Sequence, residues 1–233
     1  MKIAGFSPEE TEHIRKLHHE GGVHEYFHTK TAGGYVGDVV FGANDGIITT
    51  FAVVAGVAGA DLSSTIVLIL GVANLLGDGF SMAAGNFLAR KSEAEWRAME
   101  RAREEWEVEH MPDEERLEVR EMYEKKGLRG ETLEQVVQVL TSNKEVWVRE
   151  MMTGEHGIVP EDKLLHPTKN AVATFISFVV AGAIPLLPYV LGATGAGAFR
   201  WSTIAAGITL FAVGSLRTLV TGKRWWLAGV EML

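Results

Sequence analysis

The chain of 233 residues contains no cysteine, which excludes a disulfide framework, a thiolate zinc site, an iron–sulfur cluster and a cysteine nucleophile. It also lacks a basic excess. Lys and Arg number 22 against 30 Asp and Glu, a net charge of −8, with a pI near 5.5. That balance argues against a nucleic-acid partner, which needs a basic face. No apolar leader opens the chain: Met1 to Lys30 is polar, and a signal peptide is not expected. From Ala171 to Phe199 there is no charged residue at all, whereas 20 of the 30 acidic residues fall between Glu93 and Asp162. Such segregation excludes a uniform globular domain, a disordered chain and a collagen-like repeat.

Four stretches approach the roughly 20 apolar residues that a membrane-crossing helix needs. They are Tyr35 to Ala60, Ser64 to Ala89, Ala171 to about Gly192, and Trp201 to Leu219. A core helix of a water-soluble protein would show polar residues every three or four positions, and the third stretch shows none. Basic residues set the orientation. Those before the first stretch, in the long connection from Arg90 to Lys169, and after the fourth number 21, against Arg200 alone on the other side. The N-terminus, the long connection and the C-terminal end are therefore expected in the cytoplasm. Lys223-Arg224-Trp225-Trp226 reads as an interfacial anchor. Leu227 to Leu233 resembles the start of a further span but is far shorter than 20 residues. The expected organisation is an N-terminal amphipathic segment (1–33), spans one and two (34–90), an acidic helical domain (91–166), spans three and four (167–222) and a tail (223–233).

The acidic domain reads as three helices. From Arg90 to about His110 there is no Gly or Pro, so the second span continues as helix. Pro112 opens a helix to about Lys126. Glu131 to Met152 forms the third, with Leu133, Val136, Val137, Leu140, Val148 and Met151 as its apolar stripe. Glu100, Glu104 and Glu107 share one helix face, as do Glu115 and Glu118; Met151 and Met152 precede Glu155. A divalent cation would relieve the repulsion within such clusters, with thioethers tilting preference towards softer ions. Taken alone, the clusters read more simply as solvated faces paired with Arg101, Arg103 and Arg116. A ferritin-like di-iron oxidase would need two Glu-x-x-His motifs on long core helices. Glu107/His110 offers one, but Glu25/His28 lies in a Gly- and His-rich stretch. The N-terminal histidines His13, His18, His19, His24 and His28 read as part of a solvated segment.

Acids inside spans are harder to dismiss, because an Asp at mid-bilayer costs roughly 2.5–3.5 kcal/mol on insertion scales and usually marks an ion or proton path. Asp45 lies deep in the first span, beside Asn44 and Gly46. Asp38 sits near the cytoplasmic end, where snorkelling to the interface accounts for it. Asn74, Asp78 and Met82 repeat every four residues along the second span. Small-xxx-small steps at Gly33/Gly37, Gly42/Gly46 and Gly56/Ala60 allow close helix approach within or between chains. Pro185 and Pro188 are expected to kink the third span.

The run from Gly42 to Phe51 (GANDGIITTF) and that from Gly77 to Asn86 (GDGFSMAAGN) resemble the vacuolar iron transporter family, in a bacterial-type form carrying a cytoplasmic metal-binding domain; the similarity runs from about Gly33 to the C-terminus. The resemblance implies an all-α polytopic membrane bundle. Here four spans are expected, the family's fifth missing or truncated, with an inserted three-helix cytoplasmic domain. It implies a transporter rather than an enzyme, with no catalytic residues, exporting Fe(II) or Mn(II) from the cytosol in exchange for protons. Co, Ni and Zn are further ligands in that view. A homodimer through the first span is implied, in a cell inner membrane if bacterial or a vacuolar-type membrane if eukaryotic. By resemblance the metal residues are Glu104, Glu107, Glu115, Glu118, Met151, Met152 and Glu155, with Asp45 and Met82 in the translocation path. Asn74 stands where plant relatives carry an acid, leaving Asp78 as a substitute; Asp38 completes the expected path. A membrane-anchored iron buffer or sensor that transports nothing is the alternative.

Overall fold

A computed structural model describes residues 30–159, 166–218 and 224–233, with isolated positions before residue 20. Glu25, His18, His24, His28, Pro160 and Lys223 lie outside the described residues, while His13 and His19 are exposed. Among the described residues all regular structure is helical: α1 (Lys30–Gly59), α2 (Ser64–His110), α3 (Pro112–Lys125), α4 (Gly130–Thr141), α5 (Lys144–Gly154), α6 (Pro167–Ala183), a 3₁₀ turn (Ile184–Leu186), α7 (Leu187–Val190), α8 (Gly195–Leu216) and α9 (Trp225–Val230). Four stretches are long and apolar enough to cross a membrane: Tyr35–Gly59, the apolar part of Ser64–His110, Pro167–Val190 and Gly195–Leu216. The chain is an all-α, multi-pass membrane protein. It divides into two units, one formed by residues up to Phe87 with Pro167–Leu233, the other by Leu88–His166. α2 contributes to both.

In the first unit α1 packs on α6 through glycine. A Cβ on Gly42 would stand 2.4 Å from Ser177 Oγ and 2.5 Å from the Thr174 carbonyl oxygen; on Gly46 it would stand 2.4 Å from the Phe178 carbonyl oxygen. Gly182 answers from α6, where a Cβ would lie 2.6 Å from the Gly46 carbonyl oxygen. The two backbones touch, as small residues permit in a bilayer where no hydrophobic force draws helices together. The Gly42/Gly46 step therefore serves packing within the chain, whereas Gly37 and Gly56 meet nothing within 4 Å.

The prolines interrupt the third span as expected, giving α6, the 3₁₀ turn and α7 in succession. The Ser202 hydroxyl donates to the Pro185 carbonyl at 2.7 Å, a neighbouring helix satisfying backbone where the ladder is broken. α8 begins at Gly195, six residues before the expected Trp201. Ala198 is fully buried, and that packing outweighs the poor helix propensity of Gly195 and Gly197. α9 lies against α8: a Cβ on Gly214 would stand 2.4 Å from the Ala228 carbonyl oxygen, and Arg217 pairs with Glu231.

The second unit departs from the three-helix expectation. The helix expected over Glu131–Met152 is two, α4 and α5, because Asn143 accepts the backbone N–H groups of Glu145 (2.9 Å) and Val146 (3.2 Å) and starts a new helix. A side-chain cap competes with the helical ladder, and here the cap wins. Leu133, Val137, Trp147, Val148, Met151 and Met152 join Val108, Val119 and Ile158 in one apolar core.

Replacing Gly46 by Ala should destabilise the first unit by about 1–3 kcal/mol, since the added methyl overlaps backbone that cannot step aside. Gly77→Ala, at a glycine with nothing within 4 Å, should be neutral. Thermal unfolding of the two variants in detergent tests this; equal midpoints would refute the close approach.

Candidate metal centre

The acidic unit sorts its carboxylates into two groups. Arg101 takes Glu105 at 2.8 Å, Arg97 takes Glu93 at 2.7 Å, and Arg116 takes Asp113 at 2.9 Å. Arg103 lies 2.7 Å from Glu100 and 3.9 Å from Glu107. The first three are ordinary ion pairs of a solvated face, whereas Glu100 is itself buried, at 7% exposed, with Arg103 beside it. Glu104 and Glu115 differ. Their residues are only 1% and 3% exposed, and Oε2 of each is buried without a hydrogen-bond partner. A buried carboxylate oxygen left without a partner is costly unless the group is protonated or neutralised by a cation.

These two do not stand alone. Glu115 feels the charges of Glu118, Glu104, Glu107 and Glu155, and burial first, then those neighbours, push its carboxyl up to about 7. Glu118 shares a hydrogen bond with Glu155, and burial together with Glu155 raises its pKa as well. Five acids from three separate helical segments thus converge. α2 supplies Glu104 and Glu107; the first turns of α3 supply Glu115 and Glu118; and Glu155 caps the end of α5. Pro112 makes this convergence, since it cannot continue α2 and is suited to the first turn of a new helix. Oxygen-rich clusters of this kind hold divalent cations.

His156 was not apparent from the sequence pattern. An imidazole nitrogen of His156 and carboxylate oxygens of Glu104 and Glu155 lie within 4.8 Å of one another, and Nε2 stands 2.8 Å from Glu104 Oε1. That bond, with the nearby charges of Glu155 and Glu100, raises the imidazole pKa. The one available signal was its place beside Glu155, between Gly154 and Gly157. Met151 and Met152 are buried in the apolar core with Val119 and Trp147.

The intramembrane residues form two polar groupings. Asp38 does not snorkel: it is 7% exposed, accepting the amide of Asn86 at 2.9 Å and that of Asn170 at 2.5 Å. Asn86 also donates to Thr174 at 2.7 Å, so α1, α2 and α6 are tied at one point. Asn86 continues the four-residue stripe of Asn74, Asp78 and Met82; Asn170 and Thr174 carried no such signal. Deeper in α1, the Thr49 hydroxyl donates to the Asp45 carbonyl at 2.9 Å and accepts the Asn74 amide at 3.3 Å. Asp45 and Asp78 are half-buried and lie within electrostatic reach of each other. Met82 packs against the apolar cluster that contains Val54, Leu75 and Phe178.

A pH dependence follows for the metal-free protein. Folded Glu115 holds its proton up to about pH 7, whereas an ordinary glutamate releases it near 4.5. The folded state therefore binds more protons between these values, and its stability falls as pH rises through that window. Hydrogen exchange in Pro112–Lys125, corrected for intrinsic rates, should quicken from pH 5 to 8 and flatten in Glu115→Gln; a flat wild-type profile would contradict this.

The chain resembles known proteins over most of its length. A vacuolar iron transporter of Toxoplasma gondii is 38% identical over 210 residues, 87% of this chain and 70% of that protein. Vacuolar iron transporter 1 of Arabidopsis thaliana is 35% identical over 194 residues, 83% and 77%; that of Oryza sativa subsp. japonica is 34% identical over 201 residues, 86% and 79%. The model of the VIT family matches residues 36–233, and the chain belongs to that family.

Proposed function

We propose that this protein moves Fe(II) out of the cytosol in exchange for protons, with Mn(II) as a second substrate. Glu104, Glu107, Glu115, Glu118 and Glu155 collect the ion, assisted by the thioethers of Met151 and Met152, and Asp45 and Met82 pass it through the membrane. The observation that carries the reading is the pair of buried carboxylates, Glu104 and Glu115, each with an oxygen that has no hydrogen-bond partner, although His156 takes the other oxygen of Glu104. The relatives named as vacuolar iron transporters supply the metal.

Each element of the path has its own support. Asp45 is an acid at depth, its backbone carbonyl accepting the Thr49 hydroxyl, which in turn accepts the Asn74 amide, and Asp78 lies within electrostatic reach of it. Asp38, held by two amides from α2 and α6, acts as a strut at the cytoplasmic end of the path. The distribution of basic residues supports a cytoplasmic acidic unit. A homodimer through the first span is supported by the outward stripe of Gly37, Phe41, Ile48, Ala52 and Gly56 on α1, whose small residues allow a second helix to approach.

Metal and proton compete for the same carboxylates. Uptake of Mn(II) by the purified protein should therefore tighten as pH rises to about 7, where Glu115 loses its proton, and level off above. Proteoliposome flux tests transport itself. Asp45→Asn should slow Fe(II) movement by about tenfold or more, a barrier increase of roughly 1.4 kcal/mol, while leaving metal binding by the acidic unit unchanged. Full-rate flux in that variant would defeat the path; binding without any wild-type flux would make the protein a buffer or sensor.

A further inference from the structure

We propose that His156 is a direct metal ligand, giving the carboxylate cluster one nitrogen donor and with it a preference among divalent ions. This inference rests on the iron-handling reading above and adds a residue that the glutamate pattern does not contain.

His156 is held in place from both sides. The Glu155 N–H bonds the Met151 carbonyl at 3.0 Å, and the Ile158 N–H bonds the Met152 carbonyl at 2.8 Å. Ile158 is itself buried in the apolar core. Between them Gly157 adopts φ +66°, a left-handed conformation that glycine takes without strain. The short loop is thus pinned to the end of α5, and the imidazole, 16% exposed at its side chain, lies against the 2%-exposed side chain of Glu104.

A structural His–Glu pair would account for the 2.8 Å contact alone. It does not account for Glu104 Oε2, which stays buried and unpartnered after His156 has taken Oε1. Glu155, an exposed residue at the end of α5 that also bonds Glu118, brings a carboxylate oxygen within 4.8 Å of the same imidazole and the same Glu104. Three donor atoms drawn from two carboxylates and one imidazole, with a spare oxygen on the most buried member, are what a divalent ion fills. Imidazole suits Fe, Co, Ni and Zn, whereas Mg and Ca favour oxygen alone. His156 would therefore raise affinity for borderline ions while leaving that for Mg(II) almost unchanged.

The test uses the full chain in detergent. Mn(II) loaded at substoichiometric amounts is examined by pulsed electron paramagnetic resonance for coupling to a directly bound imidazole nitrogen, and Co(II) and Mg(II) affinities are measured by calorimetry. The wild type should show the nitrogen coupling. His156→Gln, and His156→Asn as a second variant, should lose it and bind Co(II) at least about tenfold more weakly, the loss that even outer-shell partners of a metal ligand produce. Mg(II) affinity should change less than threefold, on the preference of that ion for oxygen. Absence of nitrogen coupling in the wild type overturns the assignment without any variant, as does coupling that persists in both variants. An equal loss for Co(II) and Mg(II) reduces His156 to a positioning residue for Glu104. Failure of the wild type to bind any of the three ions would instead sink the iron-handling reading itself.

Discussion

Carboxylates repel one another, and removing them from water makes the repulsion worse; the acidic unit is built around that fact. Glu104 and Glu115 are withdrawn from solvent among three further acids, while Arg101 pairs with Glu105 and Arg116 with Asp113, and Arg103, on Glu100 at 2.7 Å, reaches only the outer acid Glu107, at 3.9 Å. A fold optimised for stability alone would place a guanidinium between them or replace both with apolar side chains. With no lysine or arginine on Glu104 or Glu115 among the described ion pairs, the cluster stays open to a divalent cation, at a cost in the stability of the metal-free state. The apolar core of Val119, Trp147, Met151 and their neighbours holds the helices together in spite of it.

The same economy of charge governs the membrane unit by different means. There the helices are drawn together by backbone contact at Gly42, Gly46 and Gly182, and the polar groups that remain are tied to one another. Asp38 is satisfied by two amides from two other helices. Asp45 and Asp78 have no comparable pair of amides among the described hydrogen bonds, and in the function proposed above they are the acids that exchange a proton or an ion. On that proposal the distinction between a strut and a path residue is one of partners, since both kinds are aspartates in apolar helices.

Much of this was legible in the sequence where the signal is length or composition. The spans, the proline break at Pro185 and Pro188, and the acidic insertion follow from uninterrupted apolar runs and from segregated charge. Periodicity placed Glu100, Glu104 and Glu107 on one face, but it could not say which of them turns inward or which one Arg103 would claim. The division of the helix at Asn143 was hidden because a cap that competes with the helix differs from a solvated asparagine only in backbone geometry. His156 sits in a glycine-flanked loop that has no period to read. Asn170 meets Asp38 across 132 positions of chain, a distance no local pattern spans.

The central claim is that the buried glutamates Glu104 and Glu115, with the exposed Glu118 and Glu155 beside them, exist for a divalent cation. Anomalous diffraction from crystals of the full chain loaded with Mn(II), recorded on both sides of the manganese edge, addresses it most directly. The account predicts a peak bounded by Glu104, Glu115, Glu118 and Glu155. A fully loaded crystal with no density among those side chains, or with lysine and arginine drawn in to neutralise them, would contradict it.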